Sequence, residues 1–317
     1  MKISMALDSL RQIPGVLGAL YRLGVWQQRS TFALRAAGNY AKLLARSDNH
    51  RPQFAAVTVG RNDDYMPDFR ERLFATVAWN TKYLVSEFIF VEWNPPADRE
   101  LLSLDLTKKF ACVRAYVVPP EIHEQTCQNR NINLLEYHAK NVGIRRAQSS
   151  WIISTNADAA IGLDSVNLLL NTPLKEDLLW TAERYDIPWR ENVQTKIGVW
   201  GSLRYRRLIP YVPLGTGEFC LASRSLWHRA RGFDEQMVRH RYGCDLRGTA
   251  QLMAHGGSIR RAGTVLHLTH PTSCTEKLQP HHGEAATPDG VPYQNPDDWG
   301  LGSLTEVQIA ERVWRLQ

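Results

Sequence analysis

A chain of 317 residues, 44% hydrophobic and ordinary in Gly and Pro, is long enough to bury a full α/β core as one large domain with appendages. The formal net charge of +6 resides wholly in residues 1–51, where eight Lys and Arg face two Asp; the balance elsewhere argues against a nucleic-acid binder. Five cysteines without CxxC spacing argue against a zinc knuckle or a disulfide scaffold and suit a reducing cytoplasm, and no apolar run reaches the ~20 residues of a bilayer span.

In chain order, Leu10, Ile13, Val16, Leu17 and Leu20 recur near helical spacing, and 31–44 continues the pattern. Arg11 and Arg22 interrupt the first apolar stretch and no small-residue cleavage site follows, so a secretory signal is not expected. Residues 1–51 read either as a basic amphipathic appendage resting on an anionic membrane or acidic partner, or as helices packed on the domain with their charges solvated. The expected location is cytoplasmic, peripheral to the inner face of the membrane on the first reading.

Phe54 to Val59 predicts a buried first strand, closed by the polar Gly60-Arg61-Asn62-Asp63-Asp64. A helix with Phe69, Leu73 and Val77 on one side follows, with Trp79 as a core residue. Strand two, Glu87 to Val91, runs into Glu92-Trp93-Asn94-Pro95-Pro96, and the prolines put Glu92 at the carboxyl edge of the sheet. Strand three spans 112–118. Strand-helix units in this order predict right-handed parallel crossovers and a Rossmann-like half.

Leu135, Ala139 and Val142 fall at i, i+4 and i+7 and put an apolar stripe on a helix that carries Lys140, Arg145 and Arg146 on its other sides. After Gln148-Ser149-Ser150 breaks that period, Trp151 to Thr155 suits a buried strand and ends on Asn156-Ala157-Asp158. Two oxygen-bearing side chains at the carboxyl end of a buried strand stand where an open α/β sheet places its ligand. Downstream, 178–182 predicts another strand with Glu183 to Asp186 behind it, and Arg204, Arg206 and Arg207 interleave with Trp200 and Tyr205 as a solvated loop or an acceptor contact. Val265 to Thr269 predicts a strand with His270 at its exit; 272–302 suits a lid or acceptor loop, and 304–316 returns to helical spacing.

The run KNVGIRRAQSSWIISTNAD resembles the core of GT-A glycosyltransferases of the family 2 type, in which an apolar strand runs into a D-x-D-like motif that holds a divalent cation on the diphosphate of a sugar nucleotide. Here Asn156 replaces the first Asp, which leaves Asp158 as the principal ligand, with the Asn156 amide able to ligate or hydrogen-bond to the cation or its water. The resemblance, over about 54–271, implies an α/β GT-A fold for 52–275, between the helical appendage of 1–51 and a lid and helix in 276–317. It implies Mn2+ or Mg2+, a nucleotide-sugar donor (UDP-sugar favoured) and a glycan or glycoconjugate acceptor of bacterial type. It further implies nucleotide contacts from Asn62 or Asp63 and from Glu92, diphosphate neutralisation by Lys140, Asn141 and Arg145, and a late metal ligand from His267 or His270, of which His270 is preferred. Lys140 also has a plain i,i+4 partner in Glu136.

Residues 215–257 resemble the acceptor half of that family, with Gly232-Phe233-Asp234-Glu235 and Asp245-Leu246 kept, but the acidic pair that includes the base falls on Tyr242-Gly243. The base is then Asp245 or Glu218, unless the enzyme uses none; Asp245 could instead cap its helix, and Asp234-Glu235 form a turn. Two rivals remain: a catalytically degenerate sugar-nucleotide-binding module, and a sugar nucleotidyltransferase, which the single Gly and two acids after strand one speak against.

Overall fold

The computed structural model describes residues 53–63, 65–66, 68–189, 206–207, 217–239, 243–270 and 293–317. The appendage of 1–51, Arg204, Tyr242 and most of the expected lid therefore lie outside the described residues.

The apolar run from Phe54 forms β1 (Phe54–Gly60), buried along its whole length, as a strand covered on both faces must be. It lies between β2 (Glu87–Trp93) and β4 (Trp151–Thr155), parallel to both, and β3 (Val113–Val118) extends the parallel set beyond β2. In the order β3-β2-β1-β4 the direction of winding reverses between β1 and β4, which opens a crevice beyond their carboxyl ends. Past β4 the sheet is mixed. β8 (Phe219–Ser223) runs antiparallel to β4 and to β6 (Leu178–Pro188), and β9 (Ser258–Thr269) runs parallel to β6. β5 (Ala159–Ile161) closes that edge antiparallel to β9, and the short β7 (Arg206–Arg207) pairs with β6.

Alternation along the strands feeds two apolar layers. Phe54, Ala56, Phe88 and Phe90 pack under α1 (Phe69–Tyr83), α2 (Leu102–Lys109) and α5 (Leu163–Asn171). Ala55, Val57, Ile89 and Val91 pack under α4 (Glu136–Arg146), α6 (Arg224–Ala230) and α7 (Cys244–Ala254), while α3 (Pro120–Thr126) follows β3 with Pro at its first turn. At position 143 a Cβ would come within 2.4 Å of Val57 Cγ1, so glycine lets α4 lie directly on β1. Trp79 is a core residue as expected, its Nε1 donating to the Ile161 carbonyl at 2.8 Å. The α/β architecture with a Rossmann-like half and a mixed sheet is the one the sequence implies.

One expectation of the fold is corrected. Residues 304–316 are not helical: β10 (Glu306–Ala310) and β11 (Val313–Leu316) form an antiparallel hairpin, and β11 joins the free edge of β3 in parallel. The apolar spacing fitted a helix, but Val307, Ile309 and Val313 are β-branched, and Arg312 at φ 60° turns the chain between the strands. Buried Val313 and Leu316 then anchor the hairpin. α7 packs through Cys244, Gly248 and Leu252, while Leu246, Ala250 and Met253 face outward.

Buried polar groups also shape the second layer. Trp93 Nε1 donates to His123 Nδ1 at 2.9 Å, and His138 packs against the same indole while its Nε2 donates to the Glu235 carbonyl at 2.9 Å. Burial pushes the His138 imidazole down to about 4. Between pH 6.5 and 4 the unfolded chain therefore takes up a proton that the folded chain refuses, so stability falls as pH falls across that window, by up to about 3 kcal/mol from this group. Urea unfolding of His138→Gln at several pH values is expected to show a shallower loss from pH 7 to 4 than the wild type; an identical slope would place the acid lability elsewhere.

Candidate active site

The crevice at the carboxyl ends of β1 and β4 is a cleft of about 460 Å³. One wall is apolar, from Val59, Met66, Phe69 and Leu134, with Arg61 stacked over the Tyr65 ring at 4.7 Å. The other is polar and draws on four strands.

β4 ends on Asn156-Ala157-Asp158, and the Leu268 amide donates to the Asp158 carbonyl at 2.8 Å, which ties this turn to β9. Asp158 Oδ2 lies 3.0 Å from His270 Nε2 and 3.4 Å from His267 Nε2. One ligand atom from each of the three residues falls within 4.8 Å of the others. Asp158 and His270 were expected here. His267 joins them because β9 alternates: Leu266 and Leu268 enter an apolar cluster, so His267 points to the opposite face.

Asp186 is the residue the sequence did not reveal. In the β6–β9 register it lies directly beside His267, and its Oδ1 is 2.7 Å from His267 Nδ1. A carboxylate oxygen only accepts, so Nδ1 carries the proton and Nε2 is left for a ligand, the arrangement of a carboxylate that orients a metal-bound imidazole. Arg184, two residues earlier on the same face, donates from Nε to the same Oδ1 at 2.9 Å and pairs through Nη1 with Glu218. The alternation Arg184-x-Asp186 just beyond the strand predicted over 178–182 was the only available signal, and β6 runs on through it to Pro188.

Burial by itself raises the Asp158 carboxyl, but hydrogen bonds and charge from His267 and His270 outweigh it and hold the group far below the usual carboxylate range. Burial likewise opposes protonation of His267, while Asp158 and Asp186 together push it up to about 9. His267 thus lies between the carboxylates of Asp158 and Asp186, with His270 on the other side of Asp158.

The structure uses several expected ligand contacts otherwise. Lys140 is fully buried; its Nζ donates to Glu136 Oε1 (2.7 Å), Asn156 Oδ1 (2.7 Å) and the Gly217 carbonyl (2.9 Å), so it positions the cleft wall from behind. An ammonium group has no acceptor, so the Asn156 atom facing it is the amide oxygen, and Lys140 takes up one lone pair of the expected ligand atom. Asn141 is also fully buried and clamps the Gly-Phe-Asp-Glu turn, taking the Phe233 amide proton at 2.7 Å and donating to the Phe233 carbonyl at 2.8 Å. Gly232, at φ 73°, has no room for a Cβ against that amide. Asp234 and Glu235 form the turn as expected: Asp234 accepts from the Gln236 amide, and Glu235 Oε1 accepts from Asn141 and from the Gly300 amide.

Arg145 points away from the cleft and holds the carbonyls of Asp297 and Trp299. Glu92 is fully buried and accepts from the amides of Leu102 and Ser103 and from the Ser103 hydroxyl, so it caps α2. Asn62 donates to the Glu100 carbonyl, and Asp63 pairs with Arg61 and accepts from the Tyr65 amide; both shape the rim beside the cleft. Glu218, fixed through its carbonyl by Thr155 Oγ1 at 2.8 Å, is in the cleft wall. Asp245 stands in the first turn of α7, whose N-cap is Gly243, so it does not cap that helix. A Cβ on Gly217 would lie 4.0 Å from Asp245 Cβ, which puts the aspartate behind the Gly217-Glu218 segment.

No protein-family model and no curated protein matches the chain. Among solved structures it is similar to the mannosyltransferase PcManGT from Pyrobaculum calidifontis in complex with GDP-Man and Mn2+, at 15% identity and a TM-score of 0.42, over 82% of this chain and 69% of that one. It is also similar to a mycobacterial protein (14% identity, TM-score 0.41, over 74% and 72%) and to S. aureus TarS (10%, 0.40, over 68% and 37%). The four described cysteines are free thiols, and among the described residues no helix is long and apolar enough to cross a membrane.

Proposed function

We propose that the protein is a metal-dependent glycosyltransferase that moves a sugar from a nucleoside-diphosphate sugar to an acceptor hydroxyl. The observation that carries this is the convergence of Asp158, His267 and His270 at the switch point of a nucleotide-type α/β sheet. One carboxylate and two imidazoles fit a divalent transition ion such as Mn2+ better than Mg2+, which prefers oxygen ligands. A cation held by these residues would supply positive charge for the departing diphosphate.

The chain's own residues account for the rest. Asp186 fixes the tautomer and tilt of His267. Arg61 and Tyr65 on the apolar wall offer a stacking and charged surface to the nucleotide. In this reading Glu218 takes the proton from the acceptor hydroxyl at its second oxygen; what supports it is that only Oε1 is engaged by Arg184. The bond from the acceptor oxygen to the anomeric carbon forms as the bond from that carbon to the diphosphate oxygen breaks, and the electron pair leaves with the diphosphate. A glycan or glycoconjugate acceptor, a uridine-type donor, and membrane contact through residues 1–51 are the finer parts of this reading.

Calorimetric titration of nucleoside diphosphates and their sugars, with Mn2+ and with chelator, tests it. Metal-dependent binding of one nucleoside diphosphate is expected, with turnover of its sugar on a matched acceptor. No binding across the panel would overturn the reading, and binding without any cleavage of the donor would leave a sugar-nucleotide-binding module.

A further inference from the structure

With Lys140 and Arg145 committed to internal contacts, the arginines that line the cleft among the described residues are Arg61 and Arg184. Arg184 has the less settled surroundings. Its Nε is anchored on Asp186, and its Nη1 faces Glu218, whose residue is 8% exposed. Its Nη2 lies 2.8 Å from His267 Nδ1. Nη2 carries two hydrogens and one ring nitrogen takes at most one of them, so Nη2 keeps a donor for another acceptor.

We infer that Arg184 is shared between two anions, Glu218 when the cleft is free of donor and the diphosphate of the nucleotide when it is bound. The inference rests on the glycosyl-transfer reading. Asp186 acts as the pivot, because Nε stays bonded while the two outer nitrogens present a planar fork suited to phosphate oxygens. A diphosphate carries more charge than one carboxylate and draws the fork toward itself. Glu218 then loses its ion pair at the moment a donor is present, which ties the availability of the base to occupancy of the donor site. Asp186 thereby serves two tasks at once, orienting His267 on one side and the diphosphate-binding guanidinium on the other.

The test uses the full chain with saturating Mn2+ and titrates UDP and GDP into the wild type, Glu218→Gln, Arg184→Lys and Arg184→Met, with Mn2+ alone titrated in parallel. Glu218→Gln removes the competing charge and is expected to bind nucleoside diphosphate about 5-fold to 10-fold tighter, with unchanged Mn2+ affinity. Arg184→Met is expected to bind it on the order of 10-fold to 100-fold weaker, Arg184→Lys less so, and nucleoside monophosphate is expected to shift less in each case. Wild-type or weaker diphosphate binding by Glu218→Gln overturns the sharing. Failure of the wild type to bind either diphosphate with Mn2+ overturns the glycosyl-transfer reading instead. Thermal unfolding of each variant identifies any loss of fold, and the near-isosteric Glu218→Gln carries the test if Arg184→Met does not fold.

Discussion

Asp158→Ala is expected to lower kcat/KM for donor turnover on the order of 10³-fold and to abolish Mn2+-dependent nucleotide binding, while far-UV circular dichroism stays that of the wild type. Asp158 is the one carboxylate in the candidate ligand set, so its loss leaves two imidazole ligands and no ligand charge to offset a dication. The fold is expected to survive because the Asp158 backbone, through its carbonyl to the Leu268 amide, makes the structural connection to β9. Removing the side chain breaks no such bond. Calorimetry with Mn2+ alone, then with nucleotide, separates the two steps; unchanged Mn2+ binding would remove Asp158 from the site.

Lys140→Met has the opposite signature. Its Nζ is completely buried and satisfies three acceptors, of which the Glu136 side chain is 23% exposed and recovers solvent on its own. The Asn156 amide oxygen and the Gly217 carbonyl lose their donor inside the protein, so the expected cost is about 3 kcal/mol in urea unfolding. Turnover falls as well, because Asn156 and the Gly217-Glu218 segment lose their common support. Mn2+ affinity is expected to stay within about 3-fold, since none of the three candidate ligands bonds to Lys140. Wild-type stability with a selective loss of nucleoside diphosphate binding would return Lys140 to the diphosphate, as the sequence first suggested.

The sequence made visible what is local. A buried strand is a short apolar run, so β1, β2 and β4 could be read directly, and Asp158 followed from its place after β4. His270 was legible for the same reason, as a histidine at a strand exit. The distant partners of α4 were not legible, because they are backbone carbonyls from segments 77 to 155 residues away. A helix that shows Lys, Asn and Arg around a narrow apolar stripe looks half solvated, yet Tyr137 to Ile144 is buried throughout. Asp186 and Arg184 were hidden in another way: only the parallel register of β6 with β9 brings them to His267. The hairpin of β10 and β11 was misread because its apolar spacing fits either period, and pairing with β3 decided between them.

The segment 293–317 has one further effect. Arg145 and Arg146 on α4 bond to carbonyls of Asp297, Trp299, Gly300 and Leu301, and the Arg146 side chain reaches Glu306, 160 residues downstream. Asn295, fully buried, joins the Glu235 amide to the carbonyls of Arg231 and Phe233. During synthesis at roughly 5–20 residues per second, about eight to thirty seconds separate emergence of the helix from that of its cover. Until then the helix behind the cleft stands with its arginines unmet and its sheet without the two strands β10 and β11. The Rossmann-like half therefore cannot be sealed in the order in which it is made, and its maturation is governed by the slow closure of long-range contacts.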